Sequence, residues 1–79
     1  MNKVIEAVRE TVLEGKNTAK EIALSIQKPY SSLMREINPY DAGAKLGLET
    51  YMSILKATGD MTSLEVMAQE LGFRLTKDE

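Results

Sequence analysis

The 79-residue chain has no cysteine, no histidine and no tryptophan, and only two prolines and one phenylalanine. Without thiolate or imidazole groups, structural zinc of the usual tetrahedral kind, thiol catalysis, disulfide stapling and the Ser-His-Asp route to an activated nucleophile are all excluded. Catalysis would have to rest on carboxylates, Lys, Tyr or Ser. Asp41 and Asp60 fall in separate loop segments, no carboxylate pair is spaced to meet, and nothing supplies a base that titrates near neutrality. No glycine-rich phosphate loop follows a strand pattern. The expectation is a protein that is not an enzyme, with no metal, no cofactor and no small-molecule substrate. Apolar runs stop at three residues, as in Ile22-Ala23-Leu24, too short for a membrane span or the core of a signal peptide. A soluble, cytoplasmic protein without a membrane partner is expected.

What is present amounts to a single domain, residues 1–79. A chain of this size buries roughly 60–65% of its extended surface on folding, which makes a modest core. Twelve acidic and ten basic side chains give a net charge of −2, but the charge is unevenly spread. Residues 16–35 carry Lys16, Lys20, Lys28 and Arg35 against Glu21, a local +3, whereas residues 60–79 carry five acids against Arg74 and Lys77, a local −3.

Hydrophobic periodicity predicts five helices and no strand of useful length. Val4, Ile5, Val8, Val12 and Leu13 mark a first helix over about 2–14, with Gly15 placed for a left-handed cap. Thr18 and Glu21 have capping-box spacing for a second helix over about 19–26, whose apolar face is Ile22, Ala23 and Ile26. Gln27-Lys28 reads as a turn and Pro29 as a first helical position, opening a third helix that ends near Ile37, ahead of Asn38-Pro39. Residues 38–47 form an ordered loop. Leu48, Tyr51, Met52 and Leu55 give a fourth helical stripe ending at Gly59. Thr62 and Glu65 suggest another capping box, followed by Leu64, Met67, Ala68 and Leu71 on one face and Gly72 as the stop. Phe73-Arg74-Leu75 alternates and could lie extended against the core, within a C-terminal tail of about 73–79 that either packs there or serves assembly.

The second and third helices, about 18–37, are spaced as a helix-turn-helix, whose second helix enters the DNA major groove. Ala23 is the small residue at the crossing, Ile22, Ile26 and Leu33 fill the apolar positions around it, and Ile37 extends the stripe. Gln27 stands where a turn glycine is usual, and Lys28 at a position often apolar. With Leu33 and Ile37 inward, Ser31, Ser32 and Arg35 face outward, with Tyr30 and Met34 at the margins. Arg pairs with guanine O6 and N7, Ser bonds to base edges, and Tyr presses on a thymine methyl, so Tyr30, Ser31, Ser32 and Arg35 are the candidate base readers. Lys16, Asn17, Thr18 and Lys20 near the start of the second helix, with Lys28, Tyr40 and Lys45, are the candidate phosphate contacts. Tyr30 has a second reading, packing on Leu33 and Met34. Lys16, Lys20 and Lys45 have one too, ordinary solvated charge.

A similar pattern downstream, Met67-Ala68 to Gly72-Phe73, leaves only Phe73–Glu79 for a recognition helix, too short and too acidic. Residues 63–71 are therefore read as a packing helix.

The run Lys28-Pro29-Tyr30-Ser31-Ser32-Leu33-Met34-Arg35-Glu36, continuing to Asn38-Pro39-Tyr40-Asp41, is the most specific part of the chain. Together with Gly15 to Ala23, Gly43 to Gly47, Ala57 to Asp60 and Met67 to Gly72, it resembles the phage regulatory protein CII family over most of residues 15–73. The resemblance implies an all-α, compact five-helix repressor-like DNA-binding domain with a helix-turn-helix. It further implies a transcriptional regulator of a temperate phage or prophage, acting in the lysis–lysogeny decision, with double-stranded DNA as the partner. A rival reading is a small helical protein–protein interaction module that does not bind DNA, with Val66, Phe73 and Leu75 as anchors. The same three residues are candidate contacts for a homodimer or higher oligomer.

Overall fold

The computed structural model describes residues 3–41, 43 and 45–78. Among these residues the chain forms five helices and no strand: α1 (Lys3–Glu14), α2 (Ala19–Ser25), α3 (Tyr30–Glu36), α4 (Leu48–Thr58) and α5 (Thr62–Glu70). The fold is all-α.

α1 is amphipathic and buries Val8, Thr11 and Val12. Gly15 does not take the left-handed conformation expected of it. It is required for a different reason, because a Cβ there would run into the Thr11 carbonyl oxygen. The capping box that starts α2 forms as the spacing predicts. The Glu21 N–H donates to Thr18 Oγ1 at 3.1 Å, and the Thr18 N–H donates to Glu21 Oε1 at 2.8 Å.

α2 ends in a Schellman motif, with the Lys28 N–H on the Ala23 carbonyl (3.0 Å) and the Gln27 N–H on the Leu24 carbonyl (3.2 Å). This geometry needs a left-handed residue, and Gln27 supplies it at φ 57, the one non-glycine positive φ among the described residues. Gln27 therefore does the work of the turn glycine it replaces. An L-residue in that region costs roughly 1–2 kcal/mol, part of which glycine would return as backbone entropy. Gln27→Gly is expected to stabilise the fold by about 0.5–1 kcal/mol, read as a higher denaturant midpoint at unchanged slope; a lower midpoint would contradict the cost assigned to this turn.

Pro29 lies one residue earlier than expected. Its ψ of 139° is extended, so it is the N-cap of α3, with its carbonyl accepting from the Leu33 N–H at 3.0 Å. The second capping box does not form. α5 has no side-chain cap from Thr62, because Asp60 Oδ1 takes both the Thr62 N–H (3.0 Å) and the Thr62 hydroxyl (2.6 Å). The Thr11 hydroxyl donates to the other oxygen of Asp60 at 3.1 Å, tying α1 to the start of α5. Gly59 and Gly72 adopt the left-handed conformation expected at the ends of α4 and α5.

α1 and α5 lie against each other, and α2 is the hub that touches α1, α3 and α4. Their shared core is Val8, Val12, Ile22, Ala23, Leu33, Ile37, Tyr51, Ile54 and Leu55. The Tyr51 and Ser63 hydroxyls meet at 2.9 Å inside it, joining α4 to α5. The inward stripe of α4 is rotated toward Ile54, leaving Leu48 and Met52 exposed, and Leu71 at the end of α5 is exposed as well. Phe73 and Leu75 do not lie against the core. Phe73 is 73% exposed, and the chain from Phe73 to Asp78 has no regular structure.

Hydrogen bonds hold the carboxyls of Asp60 and Glu36 below their ordinary values. For Asp60 the Thr62 hydroxyl acts most strongly, then the Thr62 N–H, against a smaller opposing effect of burial and with help from Thr11. For Glu36 burial pushes upward, but Lys28, the Gly47 N–H and the Thr50 hydroxyl together outweigh it. A folded-state value below the unfolded one means that the unfolded chain binds more protons in acid. The stabilisation is complete above the ordinary carboxylate range and is lost as pH falls through the folded values. The thermal midpoint is expected to hold above about pH 5 and fall below about pH 4. Asp60→Asn should flatten that fall; an unchanged acid profile would mean that Asp60 is not depressed.

Candidate nucleic-acid interface

Leu33 and Ile37 are fully buried, and Ile22 and Ala23 of α2 lie beneath them in the same core. These anchors fix which face α3 presents. Ser31 and Arg35 are exposed, Ser32 and Met34 half-buried, and Tyr30 is 44% exposed. Lys20 of α2 reaches over its ring, with Nζ 5.9 Å from the centroid, a cation–π arrangement that brings α2's charge to the edge of the α3 face.

Arg35 is paired with Asp41 of the following loop, Nε to Oδ2 at 3.3 Å. The loop is fixed by its own side chains. Asn38 Oδ1 accepts the Tyr40 N–H (3.0 Å), and Asp41 Oδ1 accepts the Gly43 N–H (3.0 Å), the local turns that Asn and Asp favour. Exposed Lys45 lines one concavity beside α3 together with Ser32 and Arg35, and with Glu36 and Glu49 on the same wall.

The candidate phosphate contacts do not form one set. Lys28 is half-buried and joined to Glu36, Nζ to Oε2 at 2.5 Å, while Glu36 Oε1 accepts the Gly47 N–H at 3.2 Å. Glu36 thus fastens the α2–α3 turn and the start of α4 to the end of α3, and the charge of Lys28 is neutralised in doing so. Thr18 is engaged in the capping box, whose Glu21 carboxylate places negative charge at the start of α2 and is itself held low by the Thr18 N–H, then the Thr18 hydroxyl. Lys16 and Asn17 are exposed but line a hollow shared with Glu14 and Asp60. Tyr40 lies beside Glu6, Arg9, Glu10 and Glu14 of α1, an acidic setting unfavourable to phosphate. Lys20 and Lys45 are the two lysines that flank the α3 face.

The candidate oligomer contacts divide as well. Val66 is half-buried on α5, whereas Phe73 and Leu75 are exposed beyond its end. Sequence reasoning missed Asp41 and Glu36 as partners of the two basic residues nearest α3. The signal available was weak, an acid six residues after Arg35 and another eight after Lys28, spacings that only the folded turns make close.

No helix of the described residues is long and apolar enough to cross a membrane. Neither a curated protein nor a solved structure matches the chain. The sequence profile of phage regulatory protein CII (CP76) matches residues 2–79, nearly its whole length. The chain therefore belongs to the phage regulatory protein CII family.

Proposed function

We propose that the protein is a sequence-specific, double-stranded DNA-binding transcriptional regulator of phage or prophage type, working in the cytoplasm, with α2 and α3 as its helix-turn-helix. In this reading α3 enters the major groove and Tyr30, Ser31, Ser32 and Arg35 meet base edges, while Lys20 and Lys45 meet phosphate on either side. Membership of a phage regulatory family supports the reading. The observation that carries it is the α3 face itself, where two serines and an arginine are held outward by two fully buried anchors, Leu33 and Ile37. A major groove about 12 Å wide admits one helix, and such side chains are the ones that read its donors and acceptors. The reading involves no catalysis, metal or cofactor.

So few phosphate contacts imply weak binding by one copy and a need for two-fold pairing on the operator. Selection from a random duplex pool at low salt tests this directly. An enriched, two-fold symmetric sequence is expected; the absence of any enriched sequence and of any binding would sink the proposal.

A protein-interaction module is the second reading, favoured by one observation: Leu71, Phe73 and Leu75 are exposed together at an acidic end of the chain. A strict monomer in sedimentation, without DNA affinity, would select it.

A further inference from the structure

The bond between Arg35 and Asp41 is made at the root of the guanidinium, Nε to Oδ2 at 3.3 Å. It engages one of the five N–H donors of an arginine and leaves the two terminal amino groups, the fork that matches guanine O6 and N7. Asp41 is itself braced. Its Oδ1 accepts the Gly43 N–H at 3.0 Å, and its own N–H donates to the Asn38 carbonyl at 3.2 Å. The two side chains are 28% and 65% exposed for Asp41 and Arg35 respectively, so a sheltered carboxylate grips the base of a largely free cation. An exposed pair of this kind contributes little to folding. Its effect falls instead on the arginine, whose many rotamers must otherwise be frozen when it docks.

Resting on the DNA-binding reading above, we infer that Asp41 is the positioning residue for Arg35, holding the guanidinium ready for a guanine in the major groove and thereby setting specificity at that base pair. The carboxylate also repels the duplex as a whole. Asp41 thus trades general affinity for discrimination, a combination that a merely structural residue does not produce.

The duplex enriched by the wild type from a random pool is altered one base pair at a time, G·C to A·T. Each form is titrated with wild type, Asp41→Asn, Arg35→Ala and the double variant. The wild type is expected to lose about tenfold or more at one G·C pair. Asp41→Asn should shrink that ratio to about threefold or less while binding an unrelated duplex as tightly as the wild type or more tightly. In the Arg35→Ala background, Asp41→Asn should leave the ratio unchanged. Undiminished or increased discrimination by Asp41→Asn overturns the inference and leaves the DNA-binding reading standing, the increase making Asp41 a competitor of the duplex. A wild type that binds no duplex overturns both. If Asp41→Asn does not fold, exchange of the Arg35 Nε–H in the wild type decides the matter by nuclear magnetic resonance. That proton should exchange several-fold more slowly than those of Arg9 and Arg74, and equal rates would overturn the inference.

Discussion

Leu33→Ala is expected to lower folding stability by about 2–5 kcal/mol. Leu33 has no exposed surface, and it lies where α3 rests on Ile22 and Ala23 of α2. Truncation there removes transfer free energy and leaves a cavity that two seven-residue helices have little freedom to close. A domain of this size commands only about 4–12 kcal/mol in total. The variant should therefore have a strongly lowered denaturant midpoint at unchanged slope and lie near the edge of folding at physiological temperature. A loss under about 1 kcal/mol would show that the α2–α3 contact is not the support of the α3 face. Leu33→Met, which conserves volume, should cost less than about 1.5 kcal/mol.

Arg35→Ala is expected to leave the fold nearly unchanged, because its ion pair is exposed. Its effect should appear in recognition, as a loss of about 1–3 kcal/mol, or roughly 5- to 150-fold, on the selected duplex and relaxed preference at one base pair. Lys20→Ala and Lys45→Ala should behave differently. Each should weaken all duplexes about equally and reduce the salt slope by about one unit. Titration of the three variants at several salt concentrations separates the roles. Equal losses on selected and unrelated duplexes for Arg35→Ala would move it from base reader to phosphate contact.

The period of a helix and an uncontested cap were legible from the sequence; a cap with a rival acceptor nearby, a turn that overrides its residue's own preference, and contacts between distant residues were not. Thr18 and Glu21 have capping-box spacing and form one. Thr62 and Glu65 have the same spacing and do not, because Asp60 stands two residues upstream and reaches the Thr62 N–H and hydroxyl first. Leu33 and Ile37 were placed inward by the period of α3, and with them the outward face of Ser31, Ser32 and Arg35. Leu48 and Met52 shared a period with Tyr51 and Leu55, yet the contacts of α4 favour the side carrying Ile54. Gln27 stood where a turn glycine is usual, but the residue's own preference did not point to a left-handed backbone, which the Schellman bonds impose. The neutralisation of Lys28 by Glu36 depends on how two turns and the start of α4 converge. Phe73 and Leu75 alternated as a buried extended segment would, yet both are exposed, as the alternative reading of them as anchors requires.

The pairing of α1 with α5 has a kinetic side. α1 finds its main partner in α5, far along the chain, so Val8 and Val12 have no complete place to bury until Thr62–Glu70 has been synthesised. The α2–α3 turn closes locally and can form early, while long-range closure carries the entropic cost that slows folding. A nascent chain halted before Thr62 should therefore expose α1's apolar stripe to chaperones and proteases.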